Sequence, residues 1–598
     1  MKHDIGEAHK QYIRQLEHNI RSDPSSFWKY LANKKAPSVS SQTFLIDGED
    51  ISDPQTVSDA FAEYFENSYI ISTLENFAEA FFYDEVELKI DSFSEAEVLA
   101  SLARLQGKLT AGPDQIPSFL LRDCRSVFVK PLTIIFNLCL ETSTFPERWK
   151  LSKIRPVFKK GDKTLISNYR PITIISNFSK VFEHLLYQRV YAFFETKLVE
   201  HQHGFVAGRS TVTNLFTITQ FISQSLDDGA QCDVVYTDLS KAFDQIDHGI
   251  LLSKLRKCGF SRELLSLFVS YFTARKQFVL MNGYKSHLVN VTSGVPQGSI
   301  LGPLFFNIFI NDIASALHSD VHCLLYADDL KMYSRISSVT DCLSLQSSLD
   351  GVARWCTSNR LSLNAPKCQV MSFALIRNGI EFDYYIGEAV LMRPDAIRDL
   401  GVTFDRKLSF VEHVNNVTSS AYRSLGFIIR NSRGFCKAES LVVLFNTFVR
   451  SHLEYAAVVW EPCYGVHIER LESVQRRFLK FLSLRVDGVY PCRGYPHDVL
   501  LKRHNFLSLA DRRQYMLVLF LHKVVTDKVT CAAIKQMLQY SIPRAASRVS
   551  LCFYLPTPRT NKLKFSPLYR MCDAYHRVQP LIDVHNCTVA SLRQLMLS

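Results

Sequence analysis

The sequence has no closely spaced pair of cysteines and no long apolar run. Its 15 cysteines form no C-x-x-C pair, which argues against a zinc site and against the dense disulfide framework of small secreted proteins. No stretch reaches the roughly 18 uninterrupted apolar residues that a membrane-spanning helix needs, and the N-terminus is charged where a signal peptide would be apolar. We therefore expect reduced thiols and a nuclear or cytoplasmic protein that is not secreted and binds no membrane.

Glycine and proline are also scarce, with 23 and 21 in 598 residues, and they follow no period. This excludes collagen-like and low-complexity proteins. The hydrophobic fraction of 47% and the charged fraction of 21% are ordinary for globular proteins, and the length allows several domains. The chain therefore has enough apolar side chains for more than one core.

Positive charge is concentrated in the C-terminal part of the chain. Residues 430–598 hold 25 lysines and arginines against 11 aspartates and glutamates, whereas the whole chain has a net charge of +11. Such a surplus favours a polyanionic partner such as nucleic acid; the alternative is a solvated basic face. If this region binds nucleic acid, removing residues after 485 should weaken binding and leave the chemistry largely intact.

The hydrophobic pattern predicts an α+β protein. A linker is expected over 36–54, a capping-box helix begins at Ser94, and a further helix and a short strand follow at 127–140 and 154–158. Apolar strands at 232–238 and 321–328 both end in aspartate, and 330–333 can return as a hairpin partner. Helices between and after these strands indicate a sheet covered by helices on one face, followed by an all-helical region near 410–484.

Three carboxylates are expected at one edge of that sheet. Asp238 ends the first strand, and Asp328 and Asp329 end the second. Carboxylates crowded together raise each other's pKa unless a cation compensates them, and hard oxygen ligands suit Mg²⁺. Two such ions can activate an attacking hydroxyl and stabilise a departing phosphate oxygen. The alternative for a lone Tyr-x-Asp-Asp is a solvated β-turn.

The order of short motifs along the chain resembles that of the reverse transcriptases of non-LTR (LINE-type) retrotransposons, most closely the arthropod jockey-type elements. The resemblance covers roughly residues 1–485 and rests on motifs in the family's order and spacing: 108–114 (KLTAGPD), 155–162 (RPVFKKGD) with 167–172 (SNYRPI), 204–210 (GFVAGRS), 238–244 (DLSKAFD), 294–303 (GVPQGSILGP), 326–329 (YADD), 364–368 (NAPKC) and 400–402 (LGV).

The resemblance implies roles for the residues near the carboxylates. Asp238 and Asp328 are similar to the family's metal ligands, with Asp329 as an auxiliary ligand. Phe243 resembles the aromatic gate that excludes a ribose 2′-hydroxyl; its alternative role is to cap a core. Lys367 resembles the proton donor to the departing pyrophosphate.

Other matching positions imply contacts with the nucleotide and the template. Gln297 and Gly298 resemble the turn that holds the templating and incoming nucleotides. Arg170 and Lys159 resemble the cations that bind the triphosphate, although Lys159 could instead belong to a solvated turn. Arg209 is a candidate for binding the template backbone, with a role in its own surface loop as the alternative.

The fold that the resemblance implies is a right-hand polymerase with helical fingers, an antiparallel palm sheet and a helical thumb. The expected divisions are a helical N-terminal extension and linker (1–90), fingers (91–230), palm (231–405, with the reverse transcriptase domain as a whole at about 138–405), thumb (406–485) and a basic C-terminal region (486–598).

The implied function is that of an RNA-directed DNA polymerase, which extends a DNA 3′-hydroxyl on an RNA template with deoxynucleoside triphosphates. The expected cofactor is a pair of Mg²⁺ ions, with Mn²⁺ as an alternative. The family's endonuclease motifs are not in this sequence, so we expect nicking to be supplied in trans. The alternatives are a group II intron-type maturase and a nucleic-acid-binding scaffold that has lost catalysis.

Overall fold

The computed structural model describes residues 2–34, 43–46, 48–74, 87–375, 379–542 and 551–597. The N-terminal part consists of helices and one short hairpin: α1 (Lys2–Ser22), α2 (Ser26–Lys34), β1 (Phe44–Ile46), β2 (Glu49–Ile51) and α3 (Pro54–Glu66). The predicted linker over 36–54 is wrong for the described part of that range, because the hairpin buries Phe44 against Phe61 and Tyr169. Residues 36–42 and 47 lie outside the described residues.

The next region is mainly helical and contains two strands. Its elements are α4 (Glu95–Ala103), α5 (Ser118–Asp123), α6 (Arg125–Glu141), α7 (Glu147–Lys150), β3 (Leu151–Phe158), β4 (Tyr169–Ile174), α8 (Asn177–Phe194) and α9 (Thr211–Asp227). The predicted capping box at the start of α4 is confirmed. Ser94 accepts a hydrogen bond from the backbone N–H of Glu97, and the Glu97 carboxylate accepts one from the backbone N–H of Ser94.

Strands and helices alternate through the middle of the chain. The elements are β5 (Gln231–Thr237), α10 (His248–Lys257), α11 (Arg262–Phe272), β6 (Lys276–Met281), β7 (Tyr284–Lys285), β8 (Val289–Asn290), α12 (Gly302–Ile310), β9 (His322–Tyr326), β10 (Asp329–Ile336), α13 (Val339–Ser358), β11 (Gln369–Phe373), β12 (Tyr385–Ile386), β13 (Ala389–Val390), β14 (Ala396–Asp399) and β15 (Val402–Asp405). The predicted strands at 232–238 and 321–328 correspond to β5 and β9, and the predicted hairpin partner corresponds to β10.

The central sheet is antiparallel, with strand order β11-β5-β10-β9. Both of its faces are buried. Val235 and Met332 belong to the apolar cluster that includes α12 and α13, whereas Val234 and Tyr333 belong to the cluster that includes α9. The prediction that helices cover one face is therefore wrong. The near-continuous burial of β5 is typical of a strand that is covered on both sides.

A second sheet has the order β4-β3-β6-β7, and β8 also pairs with β6. Strands β3 and β6 are parallel, with Ile154 opposite Val279. Parallel pairing requires a long crossover, and here the crossover runs through α8 to α11. The region predicted as helical fingers thus contributes strands, and residues 276–290, predicted as palm, lie in the same sheet.

Residues 411–487 are mainly helical, as predicted for 410–484. The elements are α14 (Val411–Asn431), α15 (Ala438–Phe445), a π-helical turn (Asn446–Arg450), α16 (Ser451–Glu454), α17 (Ala457–Trp460) and α18 (Gly465–Asp487). The N-terminal helices pack on this region. The Glu17 carboxylate accepts from the backbone N–H of Cys436 at 2.8 Å, and the ring of Trp28 stacks on that of Phe427.

The C-terminal region folds onto the rest of the chain. It comprises α19 (His497–His504), α20 (Leu509–Val525), α21 (Ala532–Met537), β16 (Gln539–Tyr540), β17 (Phe553–Tyr554), α22 (Asn561–Lys564), α23 (Pro567–Val578) and α24 (Val589–Leu597). Its apolar core includes Phe216 of α9 and Val458 of α17. The expectation that removal of residues after 485 weakens binding and leaves the chemistry largely intact stays a prediction. The packing counts against it, because the removal would expose apolar side chains of α9 and α17.

Two sequence-based expectations concern the chain as a whole. All 15 cysteines are free, in agreement with the expected reduced thiols. Within the described ranges, no helix combines the length and the apolar character required to cross a membrane.

Candidate active site

Two strand ends meet at one edge of the central sheet. Asp238 directly follows β5, and Asp328 lies in the two-residue turn between β9 and β10. Leu330 of β10 opposes Thr237 of β5, so the antiparallel register sets Asp329, the first residue of β10, level with Asp238. The structure thus brings together the three carboxylates that the sequence predicted at this edge.

The carboxylates oppose one another's ionisation. Burial raises the pKa of Asp328, and the negative charge of Asp238 raises it further. The pKa of Asp329 rises to about 6 because the group is partly removed from water and lies near Asp328 and Asp399. Repulsion of this kind is relieved when a cation binds between the carboxylates.

The donor chemistry of this edge fits a hard divalent cation. Carboxylate oxygens are the protein ligands that Mg²⁺ prefers, and Mg²⁺ commonly keeps water and substrate phosphates as its other ligands. Among the described residues, no three histidine, cysteine, aspartate or glutamate side chains converge on one metal position. A cation held by Asp238 and Asp328 would have positions left for water and substrate phosphates.

Lys367 lies in direct contact with this edge. Its Nζ is 3.1 Å from Oδ2 of Asp238, and its side chain is 60% exposed. The turn that carries it is fixed to the same residue, because the backbone N–H of Asn364 donates to the carbonyl of Asp238 at 2.8 Å. The predicted proton donor and the predicted metal ligand are therefore neighbours, and the lysine ammonium remains accessible from solvent.

The second sheet presents two cations to the carboxylates. Lys159 follows β3 and Arg170 lies on β4, and the two strands are paired in antiparallel register. Both positive charges lower the pKa of Asp328. Burial and the nearby Arg170 lower the pKa of Lys159, while Asp238 raises it. The two side chains thus share an electrostatic environment with the carboxylates, as a site for a polyanionic substrate requires.

Phe243 is held by two other aromatic rings. Its ring stacks on that of Phe306 of α12, with 4.3 Å between centroids and 9° between planes. The ring of Phe205 meets it edge-on at 6.4 Å, and Phe205 itself is 52% exposed. Phe243 is only partly buried. The predicted gate therefore has a rigid backing, and Phe205 is an aromatic neighbour that the sequence analysis did not identify.

The segment with Gln297 and Gly298 is joined to the segment with Phe243. The side-chain amide of Gln297 donates to Asp244 Oδ1 at 2.7 Å, and the backbone N–H of Val295 donates to the carbonyl of Phe243 at 2.8 Å. Gly298 has φ +147°, and a Cβ there would overlap the carbonyl oxygen of Thr173 in β4. The loop therefore requires glycine at 298 and connects β4 of the second sheet with the segment that follows β5.

The loop at 201–210 packs on the turn between β9 and β10. A Cβ on Gly204 would overlap the backbone nitrogen of Ala327, and the side chain of Gln202 contacts the same nitrogen. Arg209 is engaged within its own loop, since Nη1 donates to the carbonyls of Val199, Glu200 and Gln202. A contact between Arg209 and template stays a prediction. Gln202 lies outside the motifs quoted above.

Part of the C-terminal positive charge is used in packing. Arg512 forms an ion pair with Glu454, and Arg513, which is 1% exposed, lies 3.6 Å from Glu461. Arg570 donates to the backbone carbonyls of Val458, Val459 and Glu461. Since these arginines support the fold, fewer basic residues are available for a polyanion than the sequence suggests.

Residues 157–429 match the family model described as reverse transcriptase (RNA-dependent DNA polymerase). The match contains the carboxylates, both segments around Phe243 and Gln297, and Lys367. It also reaches α14. The residues around the carboxylates, from Lys159 to Lys367, therefore lie within a single family match.

Relatives are found in Drosophila melanogaster. The chain is 26% identical over 408 residues to a probable RNA-directed DNA polymerase from transposon X-element, a match that covers 67% of this chain and 45% of the relative. It is 28% identical over 424 residues to a probable RNA-directed DNA polymerase from transposon BS, a match that covers 69% of this chain and 46% of that relative. It is 27% identical over 416 residues to the RNA-directed DNA polymerase from mobile element jockey, a match that covers 67% of this chain and 45% of that relative.

The matched part of the chain spans slightly less than half the length of these relatives. Among solved structures, a telomerase from Candida tropicalis is similar, with a TM-score of 0.32 and 12% identity; the match covers 43% of this chain and 53% of that one. The family match and the Drosophila relatives agree with the motif order found in the sequence. Residues 157–429 thus carry a reverse transcriptase domain, and the chain is similar to the RNA-directed DNA polymerases of these Drosophila transposons and mobile elements.

Proposed function

We propose that this chain is an RNA-directed DNA polymerase that extends a DNA 3′-hydroxyl on an RNA template with deoxynucleoside triphosphates. The observation that carries the proposal is the meeting of Asp238 with Asp328 and Asp329, near the cations Arg170 and Lys159. Nucleotidyl transfer needs this combination, because negative charge develops on phosphate oxygens that must be bound and neutralised. The printed names of the relatives describe the same activity.

The proposed architecture is a right hand. The central sheet corresponds to the palm and α14 to α18 correspond to the thumb. The second sheet, with α4 to α8, corresponds to the fingers. The arrangement is supported by the position of the carboxylates at the sheet edge that faces β3 and β4. The divisions at 91, 231, 406 and 486 remain part of the proposal, except that residues 276–290 are assigned to the fingers with the second sheet.

Two divalent ions, Mg²⁺ or Mn²⁺, are the proposed cofactors. Asp238 and Asp328 would hold them, with Asp329 beside them. When bound, the ions would supply Lewis-acid stabilisation of the attacking hydroxyl and of the phosphate oxygens. Divalent ions are general among reverse transcriptases, and the repulsion between the carboxylates supports their use here.

The remaining roles follow from what each side chain can do. The planar guanidinium of Arg170 can bind phosphate oxygens through paired hydrogen bonds, and Lys159 adds a second positive charge. Lys367 carries an ammonium proton 3.1 Å from Asp238, where it can protonate a leaving pyrophosphate. Phe243, stacked on Phe306, can exclude a 2′-hydroxyl by its bulk.

The proposed partners are an RNA template, a DNA primer and deoxynucleoside triphosphates. Thumb and C-terminal region would bind the template–primer mainly through phosphates, an interaction that the basic surplus of residues 430–598 supports. A nuclear or cytoplasmic location and nicking activity supplied in trans remain proposals.

A primer-extension assay tests this function. Purified full-length chain should extend a DNA primer on an RNA template with deoxynucleotides, should require Mg²⁺ or Mn²⁺, and should stop when the ions are chelated. Extension by a wild-type preparation and none by an Asp238→Asn preparation would exclude a contaminating polymerase. Tight template binding without extension by the wild type would favour the scaffold alternative.

A further inference from the structure

The turn that carries Asp328 has an unusual backbone conformation. Tyr326 and Asp329 are paired across β9 and β10, so Ala327 and Asp328 alone connect the strands. Ala327 has φ +57°, a left-handed conformation that alanine adopts only when its surroundings impose it. Ala327 is also 5% exposed, so its N–H needs an acceptor within the protein.

The side chain of Gln202 provides that acceptor. Its Oε1 accepts hydrogen bonds from the backbone N–H of Ala327 at 3.0 Å and from the backbone N–H of Gly204 at 2.8 Å. Gln202 is 1% exposed, so both hydrogen bonds are shielded from bulk solvent. One oxygen atom therefore connects the turn next to Asp328 with the loop at 201–210.

Backbone contacts fix Gln202 relative to the turn. The N–H of His203 donates to the carbonyl of Leu325 at 2.9 Å, and the N–H of Leu325 donates to the carbonyl of His201 at 2.8 Å. Gly204 lies so close to Ala327 that a Cβ on Gly204 would overlap the backbone nitrogen of Ala327. The loop thus pairs with the end of β9 like a short additional strand, and the side chain of Gln202 extends this pairing into the turn.

We propose that Gln202 is a positioning residue for catalysis: it holds the Ala327–Asp328 turn so that the Asp328 carboxylate faces Asp238. The inference rests on the proposed polymerase function. Loss of the Gln202 oxygen leaves two buried N–H groups without an acceptor, and the left-handed Ala327 is the residue that can relax in response. A relaxed turn would move Asp328 while the sheet and the nucleic-acid surface stay in place.

Gln202→Met tests the inference, because methionine keeps the length of the side chain and removes the acceptor. We expect the single-turnover extension rate to fall at least tenfold and the Mg²⁺ concentration for half-maximal rate to rise severalfold. Template–primer Kd and the active fraction from burst amplitude should stay within twofold of wild type. A purely structural role would lower the active fraction and leave the rate of the active molecules and their Mg²⁺ dependence unchanged.

Two further variants test the role of the oxygen. Gln202→Glu keeps an acceptor at Oε1 and should recover several times the rate of Gln202→Met. Asparagine is one methylene shorter than glutamine, so Gln202→Asn moves the acceptor away from the turn and should show the same loss of rate as Gln202→Met. Gln202→Asn replaces Gln202→Met in the test if the methionine variant is insoluble. A rate for the methionine or asparagine variant within threefold of wild type would overturn the inference.

Gln220→Met is the matched control. The side chain of Gln220 on α9 is also buried, and its Oε1 also accepts from a backbone N–H, that of Leu568 at 3.2 Å. This contact joins α9 to the C-terminal region and does not involve the turn next to Asp328. This variant should lower the melting temperature without changing rate or Mg²⁺ dependence; an equal loss of rate would count against a specific role for Gln202. A wild-type chain that extends no primer overturns the polymerase proposal and this inference together. An active wild type with an unaffected Gln202→Met overturns this inference alone.

Discussion

The side-chain amide of Gln297 donates a 2.7 Å hydrogen bond to the carboxylate of Asp244. Gln297 lies in the loop before α12, and Asp244 directly follows Phe243. The bond therefore joins two segments that the sequence analysis assigned to nucleotide binding and to sugar selection. Burial raises the pKa of Asp244 to about 6, although the Gln297 hydrogen bond and Lys241 both lower it. The carboxyl group thus titrates in an accessible pH range.

The first prediction concerns the stability of the protein between pH 4 and pH 7. Asp244 keeps its proton up to about pH 6 in the folded state, whereas an unfolded aspartate loses it near pH 3.9. The folded state therefore binds more protons in this range, and the stabilisation from Asp244 falls as pH rises to about 6 and then levels off. The expected fall is about 1 to 3 kcal/mol relative to Asp244→Asn, which does not titrate.

Urea unfolding of both proteins at several pH values measures this difference. Asp350→Asn is a suitable control, since Asp350 is exposed on α13 and accepts a hydrogen bond from Gln346. Its difference from wild type should not vary by more than a few tenths of a kcal/mol. A constant difference between wild type and Asp244→Asn from pH 4 to pH 7 would contradict the raised pKa.

The second prediction concerns the carboxylates. Asp238→Asn and Asp328→Asn should each lower the extension rate at least tenfold, and on the order of hundredfold or more if a metal ligand worth several kcal/mol is lost. Template–primer Kd should change little, because the proposed role of the carboxylates is to hold metal ions and not the nucleic acid. Rapid-quench extension and a separate binding titration measure the two quantities. Asp350→Asn again serves as control, and a retained rate above about a tenth for Asp238→Asn would refute the assignment.

Local sequence signals predicted the elements around this site. Apolar runs ending in aspartate predicted β5 and β9. The short spacing between the predicted strands at 321–328 and 330–333 predicted the hairpin of β9 with β10. Ser94 and Glu97 gave the start of α4. Each signal depends on residues close together in the chain, where periodicity and capping chemistry act directly.

Long-range pairings were not predictable in the same way. The parallel pairing of β3 with β6 joins Ile154 to Val279 across more than a hundred residues, and no local pattern specifies it. The role of Gln202 depends on a contact with Ala327 in a turn that is distant in the sequence.

The basic C-terminal sequence suggested a region that binds nucleic acid, but some of its arginines, such as Arg513, are buried in the packing of that region. Composition reports the charge of a region and not which of its charges face solvent.

The third prediction concerns sugar selection. Phe243→Ala should reduce the preference for deoxynucleotides over ribonucleotides, because it removes the ring that would meet a 2′-hydroxyl. The expected change in the ratio of kcat/KM values is roughly tenfold or more, the size typical of steric discrimination. Phe193→Ala is the matched control, since Phe193 is also partly buried against another ring, Phe260, but lies on α8. An unchanged ratio for Phe243→Ala would make Phe243 a core residue.

The fourth prediction concerns how the C-terminal region docks. The carboxylate of Asp227 at the end of α9 accepts from the backbone N–H of Thr560 at 2.6 Å and from that of Arg559 at 3.1 Å, and Asp227 is 7% exposed. Asp227→Asn should lower the free energy of unfolding by about 1 to 3 kcal/mol, because the acceptor of two partly buried hydrogen bonds loses its charge.

The adjacent residue provides the control for this docking contact. Asp228 forms an ion pair with Arg335 at 2.7 Å, and both side chains are at least one-third exposed. Asp228→Asn should therefore change stability by less than about 1 kcal/mol. Thermal and urea unfolding measure both variants. Equal effects at 227 and 228 would argue that residues 486–598 do not depend on the contact at the end of α9.

The fifth prediction asks whether the C-terminal surface binds nucleic acid through phosphates. Lys502, Lys523, Lys528 and Lys564 are exposed on the C-terminal region, and their removal should leave its packing intact. Each lysine that neutralises a phosphate of a duplex contributes about −0.9 to the slope of log K against log salt. The fourfold change to glutamine should therefore flatten the slope by as much as about 3.6 and weaken binding to different sequences alike.

The slope is measured from binding at low to moderate salt. The proteins compared are the wild type, the fourfold variant and a control with Lys10 and Lys285 changed to glutamine. Since the C-terminal region also packs on α9, truncation cannot make this distinction, whereas surface substitutions can. If the fourfold variant keeps the wild-type slope while remaining folded, the C-terminal charge faces solvent and the template–primer is bound elsewhere.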